Sequence, residues 1–104
     1  MTPVRLSQLA VQDIATARDW FNAREAGLGG KFVERVNETI ARIEANPFQY
    51  REVIRDARRA NLRQFKYSVW FRIKPDHSVV IGCISYRQDL SLARRRALRA
   101  VGPG

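Results

Sequence analysis

The fold of this chain is decided by Tyr67-Ser68-Val69-Trp70-Phe71-Arg72-Ile73, followed by Pro75-Asp76-His77-Ser78 and then Val79-Val80-Ile81-Gly82-Cys83-Ile84. The first run is dense in aromatic and β-branched side chains, which suit a pleated, half-buried surface. The four residues between the runs have turn composition. The second run is apolar on both faces, as a central strand is. Together they predict an antiparallel hairpin. Moving toward the N-terminus, Ala60-Asn61-Leu62-Arg63 reads as a strand polar on one side, and Glu52-Val53-Ile54 as a short one.

Before residue 50 the period changes from two to 3.6. Ala10, Ile14, Ala17 and Phe21 share one helical face, widened by Val11, and Ser7 is a suitable N-cap. This predicts a helix from about residue 8 to about residue 24. Gly27-Leu28-Gly29-Gly30 breaks it. A second helix shows Leu28, Phe32, Val36, Ile40 and Ile43 on one face, with Glu34, Arg35, Glu38 and Arg42 on the other. Asn46-Pro47 ends it, because a residue before proline resists the helical conformation. Thr2 to Leu6 is a short extended piece.

Two amphipathic helices need a surface to bury against, and the sheet offers one. The expected architecture is therefore α+β, an N-terminal helical hairpin packed on one face of a small antiparallel β-sheet. Residues 1–90 form the domain and 91–104 a basic tail, either a short helix or disordered. The other sheet face is expected to be free. Arg59 and Arg63 share parity, as do Trp70 and Arg72, so guanidinium groups and an indole would line a concave surface.

At 104 residues and 12.0 kDa the chain suits one domain, and 45% apolar content suits a folded one. A lone Cys83 excludes an internal disulfide framework and points to a reducing cytoplasm. No apolar stretch approaches the about 20 residues that span a bilayer, and the first residues lack a signal-peptide layout.

The net charge is +9. Residues 1–50 hold six basic and six acidic side chains, whereas residues 51–104 hold thirteen basic and four acidic, so the entire surplus lies in the second half. Such a split implies a functional surface for an acidic or polyanionic partner. Of the 19 basic residues all but Lys31, Lys66 and Lys74 are arginine.

Several chemistries are unsupported. The glycine-rich stretch follows a helix, not a strand, which is the wrong context for a phosphate cradle. His77 lies in a turn without metal-ligating neighbours, Cys83 reads as a buried small hydrophobe, and Ser7 has no triad. No metal or cofactor is expected. What remains is arginine and tyrosine chemistry. Arg59, Arg63, Lys66, Arg72, Tyr86 and Arg87 could stabilise phosphorane charge, but arginine moves protons poorly and Tyr86 would need a lowered pKa. Tyr67 and Trp70 read first as sheet packing. Arg94-Arg95-Arg96 would hold any polyanion nonspecifically.

The order of these pieces resembles the RelE/ParE toxin superfamily of bacterial type II toxin–antitoxin modules. The carrying segments are Ser7-Gln8-Leu9-Ala10 with Asp13-Ile14, Trp20-Phe21, Gly27-Leu28-Gly29 with Phe32, and Ile40-Ala41-Arg42-Ile43 leading to Asn46-Pro47 and Tyr50. Then follow Arg58-Arg59-Ala60, Arg63-Gln64-Phe65-Lys66-Tyr67, Val69 to Ile73, Val80 to Ile84, and Tyr86-Arg87-Gln88-Asp89-Leu90. The chain departs from the pattern at Lys66, where proline is usual, and at Tyr86, where histidine is frequent. The resemblance implies a cytoplasmic toxin without a cofactor, neutralised by an antitoxin encoded beside it, in a toxin–antitoxin hetero-oligomer. The antitoxin, ParD-like or other, would present a flexible acidic C-terminal segment. The long second helix and its Asn46-Pro47 ending resemble the ParE branch, which poisons DNA gyrase. The alternatives are a RelE-type ribosome-dependent mRNA endoribonuclease, using Arg63, Arg72, Tyr86 and Arg87, and a nontoxic relic that binds only an antitoxin. Antitoxin or target contacts are expected at Arg58, Arg59, Arg63, Lys66, Trp70, Arg72, Arg87, Arg94, Arg95 and Arg96.

Overall fold

Ser7 starts the first helix as expected: its side-chain oxygen accepts the Ala10 amide at 3.1 Å, satisfying one of the open first-turn donors. The computed structural model describes residues 2–100, with side chains to residue 98. Helix α1 is Gln8–Arg24 and α2 is Leu28–Ala45. Gly27 between them takes φ 88°, a left-handed conformation that favours glycine. Gly29 lies so close to α1 that a Cβ there would sit 2.3 Å from the Arg18 carbonyl oxygen. Asn46 stops α2 and caps a short 3₁₀ turn, Pro47–Gln49, through its Oδ1 and the Phe48 amide.

Five strands follow in space as β1-β5-β4-β3-β2. They are β1 Val4–Leu6, β2 Glu52–Ile54, β3 Ala57–Asn61, β4 Tyr67–Ile73 and β5 Ser78–Ser85. The sheet is mostly antiparallel, but β1 runs parallel to β5. The third strand begins three residues earlier than expected, because Arg55 and Asp56 turn tightly at positive φ. Arg63 consequently leaves the strand and sits in a turn, so the expected parity with Arg59 does not hold.

The helical hairpin covers one sheet face. Phe32, Val36 and Ile43 of α2 are buried with Val69, Phe71 and Val80, and Ala10 and Ala17 let α1 approach closely. Burying a side chain of the size of Phe32 contributes about 1.5–3 kcal/mol. Val11, expected on this face, is half exposed.

The other face is not free. Helix α3, Asp89–Ala100, lies on it and buries Ala93 and Ala97 against Ala57, Trp70, Ile81 and Ile84. Both-sided apolarity in β5 requires this cover, since an uncovered face would leave Ile81 and Ile84 in water. Gly102-Pro103-Gly104 lies outside the described residues.

Candidate functional site

A wide concavity lies where three segments meet: the end of α1, the turn between β3 and β4, and the exit from β5. It is a cleft of about 740 Å³, lined in part by Trp20, Arg24, Phe65, Lys66, Tyr86 and Arg87. The Lys66 carbonyl accepts the Tyr86 amide at 3.0 Å, which ties two of these segments together. Gln64, at φ 70°, bends the turn, and its side-chain oxygen accepts from Arg35 of α2 at 2.6 Å. Phe21 forms the floor, edge-on to Phe65 at 4.9 Å and to Tyr67 at 5.8 Å. Above it Trp20 is 50% exposed, and the Arg24 guanidinium lies 4.5 Å from its ring centre. Tyr86 is also well exposed.

The cleft is electropositive because its cations have no carboxylate partners. Among the described residues, Arg24, Lys66 and Arg87 form no ion pair. The other expected contact residues differ. Arg58 donates to the Tyr50 carbonyl, approaches Glu52 at 3.8 Å and lies over Phe48. Arg63 pairs with Glu38 of α2 at 3.1 Å. Arg59 pairs with Asp89 at the start of α3, and that same carboxylate accepts the indole N–H of fully buried Trp70 at 2.9 Å. Arg72 is buried too, donating to the Arg55 and Ala97 carbonyls and pairing with Asp56 at 2.8 Å. Trp70 and Arg72, expected on an open concave surface, are thus fastenings for α3. Arg96 pairs with Asp13 of α1, while Arg94 and Arg95 are exposed on the outer side of α3.

Of the four nuclease candidates, the structure brings Tyr86 and Arg87 together and places Arg63 and Arg72 elsewhere. Burial pushes the Cys83 thiol up to about 12, with the Asp13 charge adding to it, which favours the protonated thiol at this buried position. Burial likewise raises Tyr67, with smaller contributions from Cys83 and Asp13. No group of three or more His, Cys, Asp or Glu side chains suited to a metal occurs among the described residues. Trp20 and Arg24 were missed as site residues in the sequence. Their signal is an i, i+4 Trp–Arg pair off the buried stripe of α1.

Residues 4–90 match the family model described as ParE toxin of type II toxin-antitoxin system, parDE. The chain belongs to the ParE toxin family. Its ParE-type fold is similar to that in a solved structure titled "Chromosomal ParDE TA system from P. aeruginosa", with TM-score 0.74 and 16% identity over 82% of this chain and 96% of that one. It is also similar to a mutant of the E. coli toxin RelE in the free state, with TM-score 0.71 and 12% identity over 97% and 98% of the two chains. No curated protein sequence matches. As a ParE-family chain it is a toxin of a type II toxin–antitoxin system. Among the described residues no helix is long and apolar enough to cross a membrane.

Proposed function

We propose that this toxin arrests growth in the cytoplasm by poisoning DNA gyrase, and that a cognate antitoxin neutralises it by direct binding. The observation that carries this reading is the dispersal of the nuclease candidates. Arg63 is held on Glu38 and Arg72 lies beneath α3, which leaves Tyr86 and Arg87 without them. Cleaving RNA needs an acid and a base converging on one phosphate, whereas poisoning an enzyme needs only a binding surface. The test is a supercoiling assay with purified gyrase and micromolar toxin. Inhibition with a trapped cleavage complex is expected; unimpeded supercoiling without one would sink the proposal.

The second reading, a ribosome-dependent endoribonuclease, is favoured by Tyr86 and Arg87 sharing a cleft with Lys66. Primer extension on translated mRNA decides it. Cuts by the wild type that vanish in an Arg63→Ala, Tyr86→Phe, Arg87→Ala variant would establish it in place of the gyrase reading. A folded chain that leaves growth normal would instead be a relic.

A further inference from the structure

We infer that the cleft between α1 and the β5 exit binds single-stranded nucleic acid, taking one unstacked base on Trp20 and the neighbouring phosphates on Arg24, Lys66 and Arg87. Three observations lead there. First, these three cations are without ion pairs among the described residues, while most of the arginines predicted as contacts are bound to carboxylates of the chain itself. Second, they stand beside two well-exposed aromatic rings, Trp20 and Tyr86, at 50% and 45% exposure. Third, an exposed indole in a cleft rimmed by unpaired cations combines a stacking platform with an electrostatic groove, the pairing that holds single strands.

Arg24 now lies over the indole. A base sliding onto that ring displaces the guanidinium toward the adjacent phosphate, so the stacking partner in the free protein becomes a phosphate contact in the bound one. An acidic peptide would use the cations and leave the flat faces of Trp20 and Tyr86 without a matching group. A duplex would meet the cations too, but its stacked bases could not reach Trp20. The inference does not depend on the gyrase reading, since strand binding is measured without gyrase.

The chain reports on its own site. It has two tryptophans, and Trp70 is fully buried, so quenching by a stacked base reads Trp20. The full chain is titrated with short oligothymidylate, oligouridylate, a duplex of equal length and a polyglutamate peptide, following Trp emission and anisotropy at two salt concentrations. Quenching by single strands and not by duplex is expected, and a preference for thymidylate or uridylate assigns the strand as DNA or RNA. Trp20→Ala should weaken binding about tenfold. Arg24→Ala should lower the slope of log affinity against log salt by about 0.7. Arg87→Ala, at an exposed position that cannot upset the core, should weaken binding as well. The inference is overturned if duplex and single strands bind alike without quenching. It is also overturned if a Trp20→Ala protein of unchanged circular dichroism keeps full affinity, or if polyglutamate displaces the oligonucleotides and quenches Trp20 itself.

Discussion

Asp13 of α1 and Arg96 of α3 sit on opposite faces of the sheet, yet they meet across the edge of β5 in a two-pronged ion pair at 3.0 and 3.1 Å. The meeting is possible because β1 is short. It pairs with β5 only as far as Val80, and the chain then turns into α1. Beyond that point the edge of β5 has open polar groups. Asp13 accepts the Cys83 amide at 3.0 Å, and Arg96 donates to the Ile81 carbonyl at 3.0 Å. Gly82 leaves room, since a Cβ there would lie 3.1 Å from the Arg96 guanidinium. The pair thus finishes the sheet edge and clasps both helical layers.

Asp13→Ala should destabilise the chain by about 3 kcal/mol, the cost of leaving a largely buried cation unpaired, with an orphaned strand amide beside it. Urea unfolding measures it. Asp13→Ala with Arg96→Ala together should cost less than the two single losses added, because the second change removes the stranded charge. Simple additivity would contradict the clasp.

Asp89→Ala strips the partner from both Arg59 and the Trp70 indole and removes the acidic residue from the first turn of α3. A loss of about 2–3 kcal/mol is expected. Because the damage is local to one attachment, hydrogen exchange should quicken in α3 and remain slow in α2. Unchanged exchange in α3 would show that its apolar face alone holds it.

Gly29→Ala and Gly30→Ala should act in opposite directions, although the residues are adjacent. At Gly29 a Cβ meets the Arg18 carbonyl at 2.3 Å, so the helices must separate at a cost of about 1–3 kcal/mol. At Gly30 no atom lies within 4 Å, and alanine should add about 0.5–1 kcal/mol by favouring the helix. Thermal melts of the two variants straddling the wild type would bear this out.

Glu38 is pushed up by burial, but Arg63 and then Arg35 outweigh this and hold its carboxyl below the usual value of 4.5. A carboxylate depressed in the folded state adds stability that is fully present above its unfolded pKa and is lost as pH falls through the folded one. Glu38→Gln should therefore melt earlier than wild type at neutral pH. The two curves should converge as the pH drops below about 4.5, and a gap that persisted or widened in acid would refute the linkage.

If the antitoxin presents an acidic segment to the basic second half of the chain, association should slow as salt rises, because screening limits the reach of those charges to about 8 Å at physiological ionic strength. Stopped-flow mixing at two salt concentrations checks it, and a salt-independent rate would contradict it.

Much of the fold was legible because periodicity reports burial directly. The stripes of α1 and α2, the Asn46-Pro47 stop and the β4–β5 hairpin stand where the sequence puts them. The start of β3 was not legible, since the turn at Arg55-Asp56 uses positive φ without a glycine to mark it. Cover on the second sheet face was legible in principle. A β5 apolar on both sides needs two layers, and Ala93 and Ala97, one turn apart, supply the second. The run of arginines around them obscured that small apolar stripe.

The sequence by itself determined the helical hairpin, the β4–β5 hairpin, the location of the surplus charge in the second half and the family. Only the tertiary structure decided which of those charges are available. Asp13 and Arg96 are 83 residues apart, and Arg59 and Asp89 are 30 apart. A cation is neutralised by whatever carboxylate the packed layers bring within a few ångströms, and spacing along the chain does not encode that distance. The same packing that consumed Arg59, Arg72 and Arg96 left Lys66 and Arg87 without ion pairs among the described residues, and drew Arg24 and Trp20 from the neutral half to stand beside them.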